Sequence, residues 1–488
     1  MQPIFSDNMV LQRNAPVPIY GEAETGTVVT VQFNGQVLNV TADAEFRWRV
    51  DLAPMAAGGP FELVVTCDEN ALTFHNVMVG EVWIAVGASN MARGPAGLRE
   101  DLDLLRNNDF PAIRFFDLRG GSSLIAGTQY RGAWTVADRR AVRRMSGIAF
   151  WFAYDLHVAT GVPVGVVVAV AGGGSDHWAA RLELTLDPKL ETYLARGDGR
   201  YESALAQKQA YEAALAAWRT AYLQAKSDGS RLPRKPREPR FGGGGATSHF
   251  YGKIAPLIPY RVGGVIWYIG IYDIGDSERM RLLVPAIARG WRREWGQDIT
   301  FCMTEMVRLG GFTSNPASDG PRNLARNREA HAAVLQEPLS AVLSTVDISS
   351  GGVHFNNRHA VGSRAALAAR ALHFGEAIEY LGPIFDGMTV AGNEATLSFT
   401  HLGGGLTLSD SGPPRGFAVA GADGVFRPAE ARIEGDTVVV SSPEVAVPVH
   451  VRYAFVDGPN VNLFSAAGLP MVGFRTDNFG VKGLSYYP

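Results

Sequence analysis

The chain has 488 residues, with 45 lysines and arginines against 48 aspartates and glutamates and a formal net charge of −3. At about 150 residues per domain this length calls for two to four domains and a sizeable buried interior. The charge balance recommends neither nucleic acid nor an anionic membrane surface as a partner, and no apolar run reaches the roughly 20 residues of a membrane-spanning helix.

The opening Met1-Gln2-Pro3 leads straight into folded-looking sequence, so no signal peptide is expected within these residues. From Phe5 to about His75 short alternating stretches, such as Thr27 to Phe33 and Phe61 to Val65, are separated by Asn34-Gly35 and Gly58-Gly59-Pro60. That spacing predicts an antiparallel sandwich-like β domain over residues 1–76. Over residues 77–380 strands alternate with helices, which predicts an α/β domain built on a parallel sheet with right-handed crossovers. Ser146 to Thr160 reads as a helix, and Val162 to Ala171 as a buried strand that ends in Gly172-Gly173-Gly174-Ser175. Further strands are expected at Val262 to Ile269 and Ile299 to Met306, with helices at Leu283 to Trp295 and His359 to Leu372. An insertion occupies about 200–245. Glu202 to Lys226 places Tyr211, Leu215, Trp218 and Tyr222 at helical spacing, and the basic, proline-rich run Arg231 to Arg240 is followed by four glycines. The run reads as a solvated linker able to overhang the site, with an acidic partner as the alternative. Period-two alternation returns over 381–488, as in Ala395 to Phe399 and Thr437 to Val440, and predicts a second β domain. Cys67 and Cys302 match no metal or redox spacing, so two buried thiols are expected.

Chemistry concentrates after Gly80-Glu81-Val82-Trp83-Ile84-Ala85-Val86-Gly87-Ala88-Ser89-Asn90-Met91. A buried strand running into a turn of small residues delivers Ser89 at the carboxyl edge of a sheet, where open α/β folds place their ligands. Ser89 is then a candidate nucleophile, and a helix cap is the plainer alternative.

These residues resemble the sialate O-acetylesterases, carbohydrate esterases of the SGNH-hydrolase fold, in which a GEVW strand is followed by GQSNM with serine as nucleophile. The likeness extends to Phe5 to Arg13, Ile254 to Tyr260, Gly264 to Tyr268, Gly468-Leu469-Pro470 and Phe474 to Asp477. It implies an SGNH-like sheet domain between two β domains, a carbohydrate substrate, no cofactor, no metal and an exported protein. It also implies Ser89 as nucleophile, His354 as base, a Gly172 or Gly173 N–H as oxyanion donor, and Asn90 as the neighbouring turn residue.

Several positions depart from that pattern. Where the family shows WYQGESN, this chain has Trp267-Tyr268-Ile269-Gly270-Ile271-Tyr272-Asp273, so Asp273 replaces an amide that donates to the oxyanion. Where the family shows DIHP, it has Gly352-Val353-His354-Phe355, so the carboxylate that orients the base is Gly352. A backbone carbonyl around Ser350 to Gly352, or Asp347, is the expected substitute. Ala88 replaces the glutamine beside the nucleophile, and Glu305 falls where the family tends to show Gln. Two carboxylates flanking a sugar suit a glycosidase. A sialidase-like hydrolase using Asp273 and Glu305, with Tyr272 as a phenolic nucleophile and Arg93 and Arg308 clamping a substrate carboxylate, is therefore the second reading. The plainer expectations are Tyr272 packed in the core and His177 and His249 on the polar surface. A catalytically decayed carbohydrate-binding protein is the third.

Overall fold

The computed structural model describes residues 1–95, 99–127, 130–195, 197–268, 271–308, 311–313, 315–318, 323–348, 352 and 354–479. Seven strands precede the Ser89 turn: β1 (Val10–Gln12), β2 (Val17–Glu22), β3 (Val28–Phe33), β4 (Gln36–Thr41), β5 (Arg47–Leu52), β6 (Gly58–Cys67) and β7 (Asn70–Gly87). β2 and β5 form one antiparallel pair, while β3, β4 and β6 form an antiparallel group that joins the first half of β7. β7 is 18 residues long and runs unbroken through position 76. Its second half, Val82 to Val86, is fully buried. A continuous apolar run of this kind is covered on both faces, as a central parallel strand requires.

Six further strands complete that sheet: β8 (Phe110–Asp117), β9 (Trp134–Ala137), β10 (Val164–Val170), β11 (Gly264–Tyr268), β12 (Thr300–Thr304) and β13 (Ser340–Leu343). The order is β13-β12-β11-β7-β10-β8-β9, and every pairing from β13 to β8 is parallel, with β9 antiparallel at the edge. The expected SGNH-like α/β sheet is thus present, with β7 at its centre. The helix Gly147–Thr160 starts where Ser146 Oγ accepts the Ala149 N–H at 3.3 Å and stops at Gly161, whose φ of 69° suits a glycine cap. The helix Arg358–Leu372 starts at Asn357, whose side chain accepts the Ala360 N–H at 3.1 Å. A single apolar cluster contains Val29 and Leu63 of the first strands as well as Trp83, Trp151 and Trp291 around the parallel sheet.

The insertion forms the expected long helix, its start and the glycines behind the run line the cavity that holds Asp273, and both helix and run are fastened to the first β strands. The helix Asp198–Asp228 sets Trp218 and Tyr222 against Phe46, with ring centroids 5.7 and 5.9 Å apart, and Lys226 pairs with Glu24 at 2.7 Å. The proline-rich run is fastened too: Lys235 meets Glu22 at 2.7 Å, and Trp218 Nε1 donates to the Pro233 carbonyl at 2.9 Å. Helix and run are bolted onto the first β strands, because aromatic faces and opposite charges meet there. After residue 381 come antiparallel sheets, among them Ile384–Ala391 with Glu394–Thr400 and Phe417–Ala420 with His450–Tyr453, around a separate core that includes Phe385, Leu397, Tyr453 and Phe474. Cys302 is fully buried and Cys67 only half-buried. Among the described residues no helix is long and apolar enough to cross a membrane.

Candidate active site

Ser89 opens a one-turn helix, Ser89–Ala92, at the carboxyl end of β7. The turn into it requires Gly87: its φ is 147°, and a Cβ there would collide with the Tyr268 carbonyl of β11. Ser89 is exposed, and its Oγ lies 2.9 Å from Nε2 of His354. His354 is carried by the segment before the helix Arg358–Leu372. That segment is pinned by Phe355, fully buried with its ring 5.6 Å from that of Tyr268. On the other side of the imidazole, Arg93 Nη2 lies 3.0 Å from Nδ1. Burial, then Arg93, then Arg358 hold the His354 pKa below its usual 6.5.

The loop after β10 lies alongside. Ala171 N–H donates to the Gly87 carbonyl at 2.9 Å and ties this loop to the serine turn. Gly173 has φ 119°, and the Gly172 carbonyl accepts from His249 Nε2 at 2.8 Å. Because the C=O and N–H of one peptide point in opposite directions, that bond turns the Gly173 N–H away from His249. Burial first, offset in part by the Gly172 bond, lowers the His249 pKa to about 4, so the ring is neutral near pH 7. With Nε2 donating, Nδ1 is left to accept the Ser122 hydroxyl at 3.3 Å. The expectation of a surface position fails for His249, which is 6% exposed; His177 is half-buried, 3.3 Å from it.

Asp273 is 6% exposed. Its carboxylate accepts from Ser175 N–H at 3.1 and 3.2 Å and from Ser175 Oγ at 2.7 Å. Burial outweighs these bonds and pushes its pKa up to about 6; Asp176 is likewise pushed to about 6, again by burial first. Both carboxylates line a cavity of about 420 Å³ with Gly174, His177, Tyr193 and Tyr272. Tyr272 is 64% exposed, so it is no core residue, and its hydroxyl lies 3.1 Å from where a Cβ on Gly172 would stand.

No family model matches the chain. It is 24% identical to the human sialate O-acetylesterase over 435 residues, 81% of this chain and 75% of that protein, and 24% identical to the rat sialate O-acetylesterase over 444 residues, 81% and 78%. Its fold superposes on the crystal structure of a carbohydrate acetylesterase from Xanthomonas citri with a TM-score of 0.81, at 29% identity, over 98% of this chain and 99% of the other. The chain is thus similar to the sialate O-acetylesterases over four fifths of its length and to a carbohydrate acetylesterase over nearly all of it.

Against the family pattern, several expected site residues stand elsewhere. Glu305 is 1% exposed, and its Oε2 accepts the Thr345 N–H at 3.2 Å. Burial raises its pKa against the pull of the buried Arg328, so it is an interior carboxyl without a face toward substrate. Arg308 stacks on Phe312, guanidinium 3.7 Å from the ring centroid. Asn90 is 1% exposed beside the Tyr268 hydroxyl and supports the turn from beneath. Asp347 does not stand in for the family's orienting acid, since both its oxygens bind Arg364, at 2.9 and 2.6 Å. Ser350, like Ile269, Gly270 and Val353, lies outside the described residues. The structure thus brings Ser89, His354 and Arg93 together, sets Gly172 and Gly173 alongside with Tyr272 and Asp273, and leaves Glu305 in the interior. His249 and Asp176 were not singled out for the site; Asp176 stands two residues past the glycine run, but nothing local marks His249.

Proposed function

We propose that the chain removes O-acetyl groups from a sialic acid or a polysaccharide sugar, with Ser89 as nucleophile and His354 as base. The observation that carries this reading is the 2.9 Å approach of Ser89 Oγ to His354 Nε2 at the carboxyl edge of the sheet. Oγ attacks the acetyl carbonyl as its proton passes to Nε2, and the carbonyl electrons move onto oxygen. The Gly172 N–H or the Gly173 N–H, the latter on the peptide whose carbonyl His249 holds, receives that oxyanion. Collapse breaks the bond to the sugar oxygen, which leaves with the proton from Nε2. Water then repeats the sequence on the acetyl-serine and frees acetate.

The chain divides on this reading into residues 1–76, 77–380 and 381–488, the first two sharing β7. The enzyme acts outside the cytoplasm, where O-acetylated glycans are met, and cell fractionation tests this. Nothing in the geometry favours the glycosidase, since Glu305 is interior and the named relatives are esterases. The test is incubation with an O-acetylated sialoside that keeps its aglycone. Acetate release with the glycosidic bond intact, lost in Ser89→Ala, is expected. Release of the intact acetylated sugar overturns the reading, as does binding without turnover, the outcome for a decayed site.

A further inference from the structure

Two cavities adjoin on the Ser89 side of the sheet. One, of about 830 Å³, is lined by Met91 and Ala92 of the serine turn and by Phe115 and Val168 near the carboxyl ends of β8 and β10. The other, of about 590 Å³, is lined by Tyr130 and Tyr251 and by Glu238, Arg240 and Phe241 of the insertion. Arg119 and Arg131 line both, so the two open into one groove that leads from the serine turn to the proline-rich run. Ligand cavities run from about 300 to 1,000 Å³. Two joined spaces of this size exceed what one sugar ring fills and suit a chain of sugars.

Arg119 and Arg131 face each other across an isolated antiparallel bridge, each N–H donating to the other's carbonyl at 2.7 Å. In such a mutually bonded pair both side chains leave the same face, and like charges set opposite each other are destabilising. Asp117 offsets one of them, holding Arg119 at 2.9 Å. Arg131 is exposed, and Arg144 brings a further positive charge to the first cavity and Arg240 to the second. In a chain whose net charge is −3, this local excess does not follow from composition. A repelling pair kept where two cavities join is accounted for by an anion that comes between its members. The buried Phe115, Met145 and Val168 give the first cavity an apolar floor for the C–H face of a sugar ring, while guanidinium groups at the rim match the planar fork of a carboxylate.

We propose that this groove binds an acidic polysaccharide of the uronic acid class, with Arg119 and Arg131 clamping the carboxylate of a sugar unit other than the one whose acetyl group reaches Ser89. The proposal rests on the esterase reading and names the substrate class of the same site. An O-acetylated monosaccharide, even one with its own carboxylate, fills one end of the groove and gains nothing from the arginine pair.

The test has two arms. Calorimetry of wild type with oligogalacturonides of one to six units needs no acetyl group and no turnover. Affinity is expected to rise on the order of tenfold from monomer to hexamer as more of the groove fills, and to fall for the hexamer between 0.1 and 1 M salt, as the Debye length shrinks from about 10 to 3 Å. Arg131→Thr weakens hexamer binding about fivefold, the contribution of one exposed ion pair, and Arg131→Lys recovers part of it. Because the bridged pair repels, the urea midpoint of Arg131→Thr stays level or rises, so the lost binding is not lost fold. In the second arm, acetate release is compared for O-acetylated galacturonide hexamers, their carboxyl methyl esters and p-nitrophenyl acetate. Wild type prefers the acidic hexamer over its methyl ester about fivefold in kcat/KM, and Arg131→Thr erases that preference. Equal affinity for monomer and hexamer, equal rates on the acid and its methyl ester, or unaltered hexamer binding in Arg131→Thr overturns the proposal. If the calorimetry behaves as expected and no acetate is freed from any of the three esters, the esterase reading fails by itself and the groove assignment stands.

Discussion

Asp273→Asn restores the amide that the family carries at this position, and its consequences can be worked through. A carboxyl moved from 3.8 to about 6 by burial costs the folded protein about 3 kcal/mol once ionised. The sign follows from the two states. Below 3.8 the group is protonated folded or unfolded and costs nothing; above about 6 it is ionised in both, and the full cost is present. The asparagine variant therefore gains up to about 3 kcal/mol at pH 8, less what the Ser175 bonds lose when the acceptor becomes neutral, and gains nothing at pH 3. Rate follows the same group. For any carboxylate and oxyanion ~4 Å apart the repulsion is roughly 4 kcal/mol at an effective dielectric of 20, whereas a protonated acid donates as an amide does. At pH 8 about one wild-type molecule in 10² carries that proton. The ratio of variant to wild-type kcat should accordingly climb from about 1 below pH 6 toward 10² at pH 8, near the worth of one oxyanion donor. His354 titrates in both proteins and cancels from the ratio. Acetate release from an O-acetylated sugar across pH 5 to 8, with urea unfolding at each pH, measures both effects. A ratio that does not change with pH, or a folded variant slower than wild type throughout, refutes the argument.

Two further perturbations address the supports of the site. His249→Ala frees the Gly172 carbonyl from its 2.8 Å bond and should lower kcat about tenfold with KM little changed, while His249→Gln, which keeps a donor, recovers part of the loss; steady-state kinetics on the acetylated sugar separate these, and a rise in KM alone would point to substrate contact instead. Glu81→Ala strands Arg13, Gln12 and His373, which meet this 1% exposed carboxylate at 2.6, 3.0 and 3.1 Å, and should cost about 3–5 kcal/mol in urea unfolding without moving Ser89; a loss below 1 kcal/mol would show that the cluster is not cooperative.

The parallel sheet was legible because Val82 to Val86, Val164 to Val170 and Gly264 to Tyr268 are unbroken apolar runs, a pattern that only burial on both faces explains. That Ser89 and His354 meet was legible from the blocks similar to those of the esterases, although 265 residues separate them. What could not be read were pairings between distant side chains. Nothing in the order of residues says that Arg93 meets His354, that Ser175 takes up Asp273, or that His249 turns inward to a glycine carbonyl. Glu305 drew notice because the esterases tend to show Gln there, and only tertiary packing shows it turned toward Thr345. Tyr272 was misjudged in the other direction, since an aromatic after a buried strand is usually core, and here the chain turns it out to solvent.

The length of β7 has a consequence of its own. One end is sewn to β6 from Gly58↔Val79 to Cys67↔Asn70, while the other is fixed by β10 and β11 up to Gly87. The strand works as a single spar with two anchorages, so Ser89 is aligned by contacts far upstream of it as well as by its neighbours. Loosening the first β strands, by heat or by proteolysis, must slacken the far end too, and Ser89 should lose its alignment in the same cooperative step.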